Sequence, residues 1–228
     1  MDFAYLSISE ESVTGGRARR GGCSLAWGPM GASRGVITRK GERTRARLLA
    51  LAVEAFGQAG FRATSVTEIA HRAGIGQATA YAYFANKHDL FMAAVDADAT
   101  ALLTEATDRA RPGPVTRLPV RLITELFDGV EDHPLARRVL MGQEPEVLVD
   151  MLDLPAIGVG TDLLTQALVA GQARGEVRAD LDAEVIAPGL EGLVLSILVA
   201  TVQVGRLGSP RRQAGVVAVF AALLDPID

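Results

Sequence analysis

Several residue types that would direct the fold or the chemistry elsewhere are scarce in this chain of 228 residues. A single cysteine, Cys23, excludes an internal disulfide framework and fits a reducing cytoplasm, where we expect the protein to reside. The three histidines, His71, His88 and His133, lack the spacing of metal ligands. We find no run of β-branched residues in strict alternation, and hence no strand that a Gly-rich phosphate loop would follow. These absences favour an all-α protein with no metal, cofactor or catalytic residue, although missing motifs alone do not exclude an all-α enzyme.

Positive charge is concentrated in the N-terminal part of the chain. Residues 1–90 carry 12 Lys and Arg against 7 Asp and Glu, a balance of +5. Residues 91–228 carry 11 against 20, a balance of −9. A basic part followed by an acidic remainder indicates that only the first part meets phosphates.

Residues 1–37 have the composition of a disordered tail. Gly, Ser and Arg are frequent, no apolar period persists, and the apolar stretch near the start is too short for a signal peptide. Two alternatives remain open, a true start of the protein at Met30 and a basic arm that lies on DNA. The residues of that arm would be Arg17, Arg19, Arg20 and Arg34.

The stretch from Ser65 to Phe84 has the pattern of two short helices joined by a tight turn. Ser65 and Glu68 form a capping box ahead of an apolar stripe, and Gly74 suits the left-handed residue that follows a helix. A second helix follows from Gln77. Such a pair is typical of a helix-turn-helix, whose second helix enters the DNA major groove. An αα-corner that only packs is the alternative.

The segments on either side of this pair favour the DNA-binding interpretation. A helix is predicted from Thr38 to about Ala59, and five basic residues in its first turns oppose the helix dipole, which indicates nearby phosphates. Gly60 is predicted to end this helix in the left-handed conformation. Asn86 is predicted to cap the next helix, so that its amides and Lys87 can hold a phosphate.

The segment GERTRARLLALAVEAFGQAGFRATSVTEIAHRAGIGQATAYAYFANKHDL resembles the DNA-binding head of the TetR family of bacterial transcriptional regulators. The matching features are the AxxxFxxxGF run, the TSVxxIAxxAG segment and the YxxFxxKxxL close. The resemblance implies an N-terminal three-helix helix-turn-helix head, residues 38–86, followed by a larger helical domain for effector binding and dimerisation, residues 87–228.

The same resemblance implies roles for individual residues. Ser65 and Thr67 match positions that meet the DNA backbone, whereas the first residues of the second helix match positions that read base edges. Gln bonds bidentately to adenine, and Ala and the Thr methyl group suit the thymine methyl. The full set of predicted DNA-binding residues is Arg43, Ser65, Val66, Thr67, Gln77, Ala78, Thr79, Tyr81, Tyr83 and Lys87.

The remainder of the chain is predicted to be helical throughout. Predicted helices cover residues 87–110, 117–130, 135–142, 144–154 and 161–173, and a further helix begins at Asp182 with Pro188 in its second turn. Residues 190–204 are apolar nearly all round. Three interpretations remain open: a membrane span, a core helix of a monomer, and a helix shared with a twin subunit. The stretch has too few apolar residues for a span, which argues against a membrane. A second apolar helix, ending at residue 224, favours a dimer through residues 185–224.

An effector site is expected between the middle helices. No Tyr or Trp follows Tyr83 and no Lys follows Lys87, which favours an apolar, aliphatic or small uncharged effector. The candidate effector-binding residues are Phe127, Met141, Met151, Leu164 and Leu168.

The sequence therefore predicts a homodimeric repressor that places its second motif helices in successive major grooves of a palindromic operator, about 34–36 Å apart. The small molecule is expected to favour a dimer whose heads are wrongly spaced. The alternative is a helical ligand-binding or scaffolding protein whose DNA recognition is lost, because Gly76 replaces a capping Ser or Thr and because Ala80 and Ala82 replace bulkier residues.

Overall fold

The computed structural model describes residues 39–145, 154–206 and 208–226, which form nine α-helices and no strand. The all-α prediction is confirmed. The helices are α1 Arg39–Ala63, α2 Val66–Arg72, α3 Gln77–Tyr83, α4 Lys87–Ala110, α5 Leu118–Gly129, α6 Pro134–Leu140, α7 Pro155–Ala173, α8 Ala183–Val204 and α9 Pro210–Leu224. The predicted tail, Met151 and most of the predicted helix 144–154 lie outside the described residues.

The first helix is interrupted at Gly60, which has φ 77° and ψ 173°. The expected positive φ is confirmed, but ψ is extended rather than left-handed helical, so the helical turn resumes over residues 61–63. This backbone region is accessible essentially to glycine alone. A Cβ on Gly60 would also lie 2.5 Å from Nη2 of Arg138 and 2.6 Å from Oε1 of Glu144. Glycine is therefore required at residue 60 for two reasons: its backbone conformation and the lack of space for a Cβ.

Helices α1 to α3 form a three-helix head whose core extends into the helices that follow. Phe56 of α1 is fully buried, and its ring centroid lies 5.0 Å from that of Phe91 in α4. Phe61 folds back as expected, with its ring centroid 4.9 Å from that of Phe91. Leu135 of α6 belongs to the same core and is fully buried. The head is thus packed on α4 and α6.

A second core fills the body of the molecule between α4, α5, α7 and α8. Helix α7 begins at Pro155, so the predicted start near residue 161 is wrong. Proline at the first helical position is favourable because its missing N–H would have no partner in the helix. The Ala156 amide donates to Oδ1 of Asp96 at 2.9 Å, which ties the start of α7 to α4.

Helix α8 begins as predicted, with Asp182 accepting from the amides of Glu184 and Val185, and it continues through Pro188. Among the described residues it is the one helix long and apolar enough to cross a membrane, with a mean hydropathy of 2.1. One side of the helix packs in the body core. The other side exposes Val185 and Leu193, at 69% and 48%.

A buried carboxylate joins α4 to the start of α6. Asp98, 6% exposed, accepts hydrogen bonds from the amides of Leu135 and Ala136 at 3.0 and 2.9 Å. Its other oxygen lies 3.1 Å from Nδ1 of His133, which is also buried. The side chain on α4 therefore caps α6 from outside and fixes the position of α6 against the head.

Replacing this carboxylate tests its contribution to the fold. We expect Asp98→Ala to lower the free energy of unfolding by about 2–4 kcal/mol, because the His133 ring and two buried amides lose their acceptor. The measurement is urea unfolding at one fixed protein concentration. Asp108→Ala is the control, since its ion pair with Arg111 is largely exposed and should change stability by less than about 0.5 kcal/mol. Equal effects of the two substitutions would contradict the capping role.

Candidate DNA-binding surface and effector cavity

The turn between α2 and α3 is fixed by backbone hydrogen bonds and one glycine. The Gly74 amide donates to the carbonyl of His71, and the Ile75 amide donates to that of Ala70, both at 3.0 Å. These two bonds constitute a Schellman motif, in which the residue after the helix takes the left-handed conformation. Gly74 has φ 70°, as predicted. The angle between the two short helices is thereby set by local chemistry.

Most residues predicted to meet DNA lie on the surface of the head. Gln77, Ala78 and Thr79 are exposed at the start of α3, and Tyr81 is 40% exposed. On and before α2, Ser65 and Thr67 are exposed, as is Arg43 on α1.

Two predicted positions are placed differently by the structure. Val66 is only 6% exposed and belongs to the head core, so its side chain is not part of the head surface in this structure. The burial of Val66 follows from the apolar stripe of α2, to which Ile69 also belongs. Tyr83 is half-buried and packs against the same core.

The caps of the two short helices differ from expectation. Ser65 occupies the N-cap position of α2 as predicted, but its side chain makes no capping hydrogen bond, so the capping box is wrong within the described residues. Gly76 caps α3 with extended backbone, at φ −74°, and a Cβ there would meet no atom within 4 Å. Glycine is therefore not required at residue 76. Of the two alanines that depart from the family pattern, Ala80 is buried in the core and Ala82 is exposed.

The start of α4 lies beside the turn at Gly60. Asn86 caps this helix as predicted, with its side chain accepting from the Asp89 amide at 2.8 Å. Lys87 donates through Nζ to the carbonyl of Arg62 at 3.3 Å, and Nζ lies 4.8 Å from the centroid of the Phe61 ring. The lysine thus supports the turn that precedes α2.

The basic residues of the head include cations engaged with neighbouring groups and cations exposed at the start of α1. Arg45 is half-buried, with its guanidinium 4.9 Å from the centroid of the Phe84 ring, and Arg72 pairs with Glu54 at 2.6 Å. The exposed cations at the start of α1 are Arg39, Lys40 and Arg43. This end of α1 therefore adds positive charge to the head surface.

A small apolar cavity lies in the body between α4, α5, α6, α7 and α8. Its volume is about 120 Å³. Val95, Val139, Leu154 and Ile157 line it and also pack in the head core. The cavity wall and the support of the head are therefore partly the same side chains.

The predicted effector residues do not line this cavity. Leu164 and Leu168 are buried in the body core, whereas Phe127 and Met141 are half-buried against it. Met151 lies outside the described residues. The other four are packing residues in this structure, and helical periodicity could not separate a core position from a cavity wall because both are apolar and inward-facing.

The cavity wall includes one carboxylate that the sequence analysis did not select. Glu191 of α8 accepts a hydrogen bond from the Thr161 hydroxyl of α7. Burial raises the pKa of the Glu191 carboxyl, and the hydroxyl bond opposes part of that rise. The sequence does carry a sign of it, since Glu191 is the one ionisable residue in the apolar stretch 190–204.

By its fold and by the exposed residues of α3, the protein is a helix-turn-helix DNA-binding protein with a larger helical body. The profile of the family described as bacterial regulatory proteins, tetR family, matches residues 48–94, from the middle of α1 to the start of α4. The HTH-type transcriptional regulator YdgC of Bacillus subtilis is 30% identical over 169 residues, which cover 68% of this chain and 79% of that protein. The chain belongs to the TetR family of transcriptional regulators, which are not enzymes.

Other relatives agree with this assignment. The HTH-type transcriptional regulator TtgR of Pseudomonas putida is 27% identical over 155 residues, covering 63% of this chain and 72% of that protein. A TetR-family regulator from Rhodococcus sp. matches with a TM-score of 0.58 over 81% of this chain and 100% of its own. FadR of Bacillus subtilis in complex with stearoyl-CoA matches with a TM-score of 0.56 over 77% and 96%. Both structures are 18% identical to this chain and show the shared fold.

The two glycines beside the motif turn permit a matched test of the cap. We expect Gly76→Ser to raise the free energy of unfolding by about 0.5 kcal/mol, because the backbone is already extended, the space is open and a hydroxyl can accept from an amide of α3. Gly74→Ser, two residues earlier and equally open, should lower it by about 1 kcal/mol because φ is +70°. Urea unfolding of both variants gives the comparison; shifts of the same sign would contradict the assigned geometry.

Proposed function

We propose that this protein is a homodimeric repressor that resides in the cytoplasm and releases a palindromic operator when a small apolar molecule enters the cavity of the body. The observation that carries the proposal is the sharing of Val95 and Val139 between the cavity wall and the head core. A ligand that displaces these side chains must also displace packing beneath α1. A population shift then requires only that the ligand bind the operator-incompetent arrangement more tightly.

Polar bonds at the head–body junction support the same route. Glu144 is 5% exposed; it accepts from the Phe61 amide at 3.1 Å and from Nε of Arg138 at 2.7 Å. The carboxylate thus joins the turn before α2 to the last turn of α6. Since α6 also lines the cavity, a shift of α6 would pull directly on the turn that positions the motif.

We propose the following DNA contacts for the head. Gln77, Ala78 and Thr79 at the start of α3 would read base edges, and Tyr81 would meet a phosphate. Further backbone contacts are assigned to Arg43, Ser65, Thr67, Tyr83 and the start of α4 at Lys87. Exposure of Gln77, Ala78, Thr79 and Tyr81 on α3 supports this arrangement.

The proposed dimer surface is the outer side of α8 together with α9. A groove of about 600 Å³ separates these helices; Leu193, Ile197, Val216 and Val219 are among its apolar lining residues, and Arg211 and Arg212 line it near the start of α9. Val219 is 63% exposed and Val204 is 64% exposed. A second copy of the chain that inserts its own α8 and α9 would cover this apolar area and place two heads about a twofold axis.

The effector is proposed to be compact. FadR of Bacillus subtilis was solved with stearoyl-CoA, which supports ligand binding within this fold. The cavity of about 120 Å³ here accommodates a far smaller molecule. An engineered cavity of about 150 Å³ in another protein holds benzene, which gives the scale.

Substitution of α3 residues tests the DNA contacts. We expect Gln77→Ala to weaken binding by about 1–3 kcal/mol and to reduce discrimination at one base pair of each half-site, whereas Tyr81→Ala should weaken binding to all sequences equally. Fluorescence anisotropy on the footprinted DNA upstream of the protein's own gene, over a salt series, gives both quantities.

Gln166→Ala, an exposed glutamine of α7, is the control and should bind as wild type. Footprinting with and without cell extract tests release of the DNA. Wild-type affinity in both α3 variants would refute the docking, and a protein that protects no DNA would favour the ligand-binding or scaffolding alternative.

A charge placed in the α8–α9 groove tests the dimer surface. We expect Val219→Arg to raise the dissociation constant of the dimer at least tenfold, because a guanidinium would be buried without a partner. Sedimentation velocity over a concentration series measures this, with Val169→Arg on α7, where valine is 53% exposed, as the matched control. Dissociation by both variants, or by neither, would contradict the assignment.

A further inference from the structure

Glu191 is isolated among apolar groups in the cavity wall. All other residues that line the cavity are Ala, Val, Leu or Ile, so the described wall offers no Lys, Arg or His to this carboxylate. Glu191 is half-buried, and partial removal of an ionised carboxylate from water is costly unless the carboxylate is paired and hydrogen-bonded. A cationic partner in the cavity would offset this cost.

The fold supplies only part of the hydrogen bonding that a carboxylate accepts. Oε2 of Glu191 receives the Thr161 hydroxyl, whereas Oε1 receives no donor from the residues that the structure describes. A carboxylate offers about four acceptor sites. The unsatisfied oxygen is left for a group that is not part of the chain.

The backbone beside the carboxylate leaves room for it. Gly160 of α7 is helical, so its backbone conformation does not require glycine, yet a Cβ at this position would collide with Oε1 of Glu191. The absence of a side chain at Gly160 thus lets the carboxylate lie against α7.

We propose that Glu191 is the counter-ion for a small cationic effector, a protonated aliphatic or alicyclic amine whose hydrocarbon part fills the cavity and whose ammonium group pairs with the carboxylate. The inference rests on the proposed function, since it concerns the same cavity. It changes the expected effector from an uncharged molecule to one with an apolar hydrocarbon part and a single positively charged group.

The chemistry of the site fits an ammonium better than a neutral or anionic group. An ammonium offers three donors, and the Glu191 carboxylate is the acceptor in the cavity wall, with its Oε2 already held by the Thr161 hydroxyl. A cation would also favour the ionised carboxylate, and so would reverse the rise in the Glu191 pKa that burial causes. A carboxylate ligand would instead meet a like charge in an apolar cavity.

Three probes with the same cyclohexyl ring and different polar groups test the charge preference: cyclohexylamine, cyclohexanol and cyclohexanecarboxylate. Isothermal titration of the full-length protein at pH 7 should show the amine binding at least tenfold more tightly than the alcohol, with the carboxylate the weakest. Glu191→Gln should lose at least tenfold in affinity for the amine and change that for the alcohol by less than about threefold. Glu184→Gln, an exposed position in the first turn of the same helix, should leave all three affinities unchanged.

The outcomes separate this inference from the proposed function. Equal binding of amine and alcohol by wild-type protein, or a preference for the amine that survives in Glu191→Gln, would overturn the counter-ion role and leave the cavity as the effector site. Failure of all three probes to bind would also overturn it, without bearing on DNA binding. Selective binding of the amine with no change in operator affinity would support the role of Glu191 and contradict the proposed release mechanism. The wild-type probe series needs no substitution, so it decides the question even if Glu191→Gln folds poorly.

Discussion

The packing of α1 on α4 and α6 is the contact on which the rest of this structure depends. One long and two short helices cannot enclose a sufficient core by themselves, because small domains bury too small a fraction of their surface. The head supplies Phe56, and the body supplies Phe91 from α4 and Leu135 from α6, all three fully or almost fully buried. The head therefore holds its shape only while those two helices stay in place, and its orientation follows theirs.

This dependence gives α4 and α6 two tasks, and the polar bonds between them show how the tasks are connected. Apolar side chains can slide past one another at little cost, whereas Asp98 fixes the start of α6 to α4 and Glu144 fixes its end to the turn at Phe61. Helix α6 is thus held at both ends by carboxylates. If a ligand in the cavity moves α6 with these bonds intact, the head moves with α6. If the bonds break instead, the binding free energy of the ligand must offset the free energy lost with them.

Local interactions account for the parts of the fold that the sequence predicted. The turn at Gly74 and the caps at Asn86 and Asp182 each depend on residues within a few positions of one another, and all three are present. One local prediction is wrong, because Ser65 has the residue type of a capping box without its hydrogen bond. The other failures are non-local.

The surface of the head and the cavity show the same limit. Exposure of Gln77 and Tyr81 follows from helical periodicity, and so does the burial of Val66, which the resemblance had placed on the DNA surface. The cavity depends on gaps between five helices, and the residue pattern of a single helix does not predict where such a gap lies. Leu164 and Val95 are alike in sequence terms, but one fills the core and the other borders empty space. The charge of Glu191 within the apolar stretch 190–204 is visible in the sequence alone, although the sequence analysis did not select this residue.

Helix α8 links the two proposals, since its sides serve different purposes. Glu191, Val194 and Leu198 border the cavity, whereas Val185, Leu193 and Val204 lie about half a turn away and are exposed. Rotation or translation of this one helix would change the cavity and the proposed dimer surface together, because a helix moves as a rigid rod. In a twofold dimer, a small shift of α8 at the axis becomes a larger displacement of the heads at the periphery. A ligand that pulls on Glu191 would therefore act on head spacing by two routes, through α6 within one subunit and through α8 between subunits.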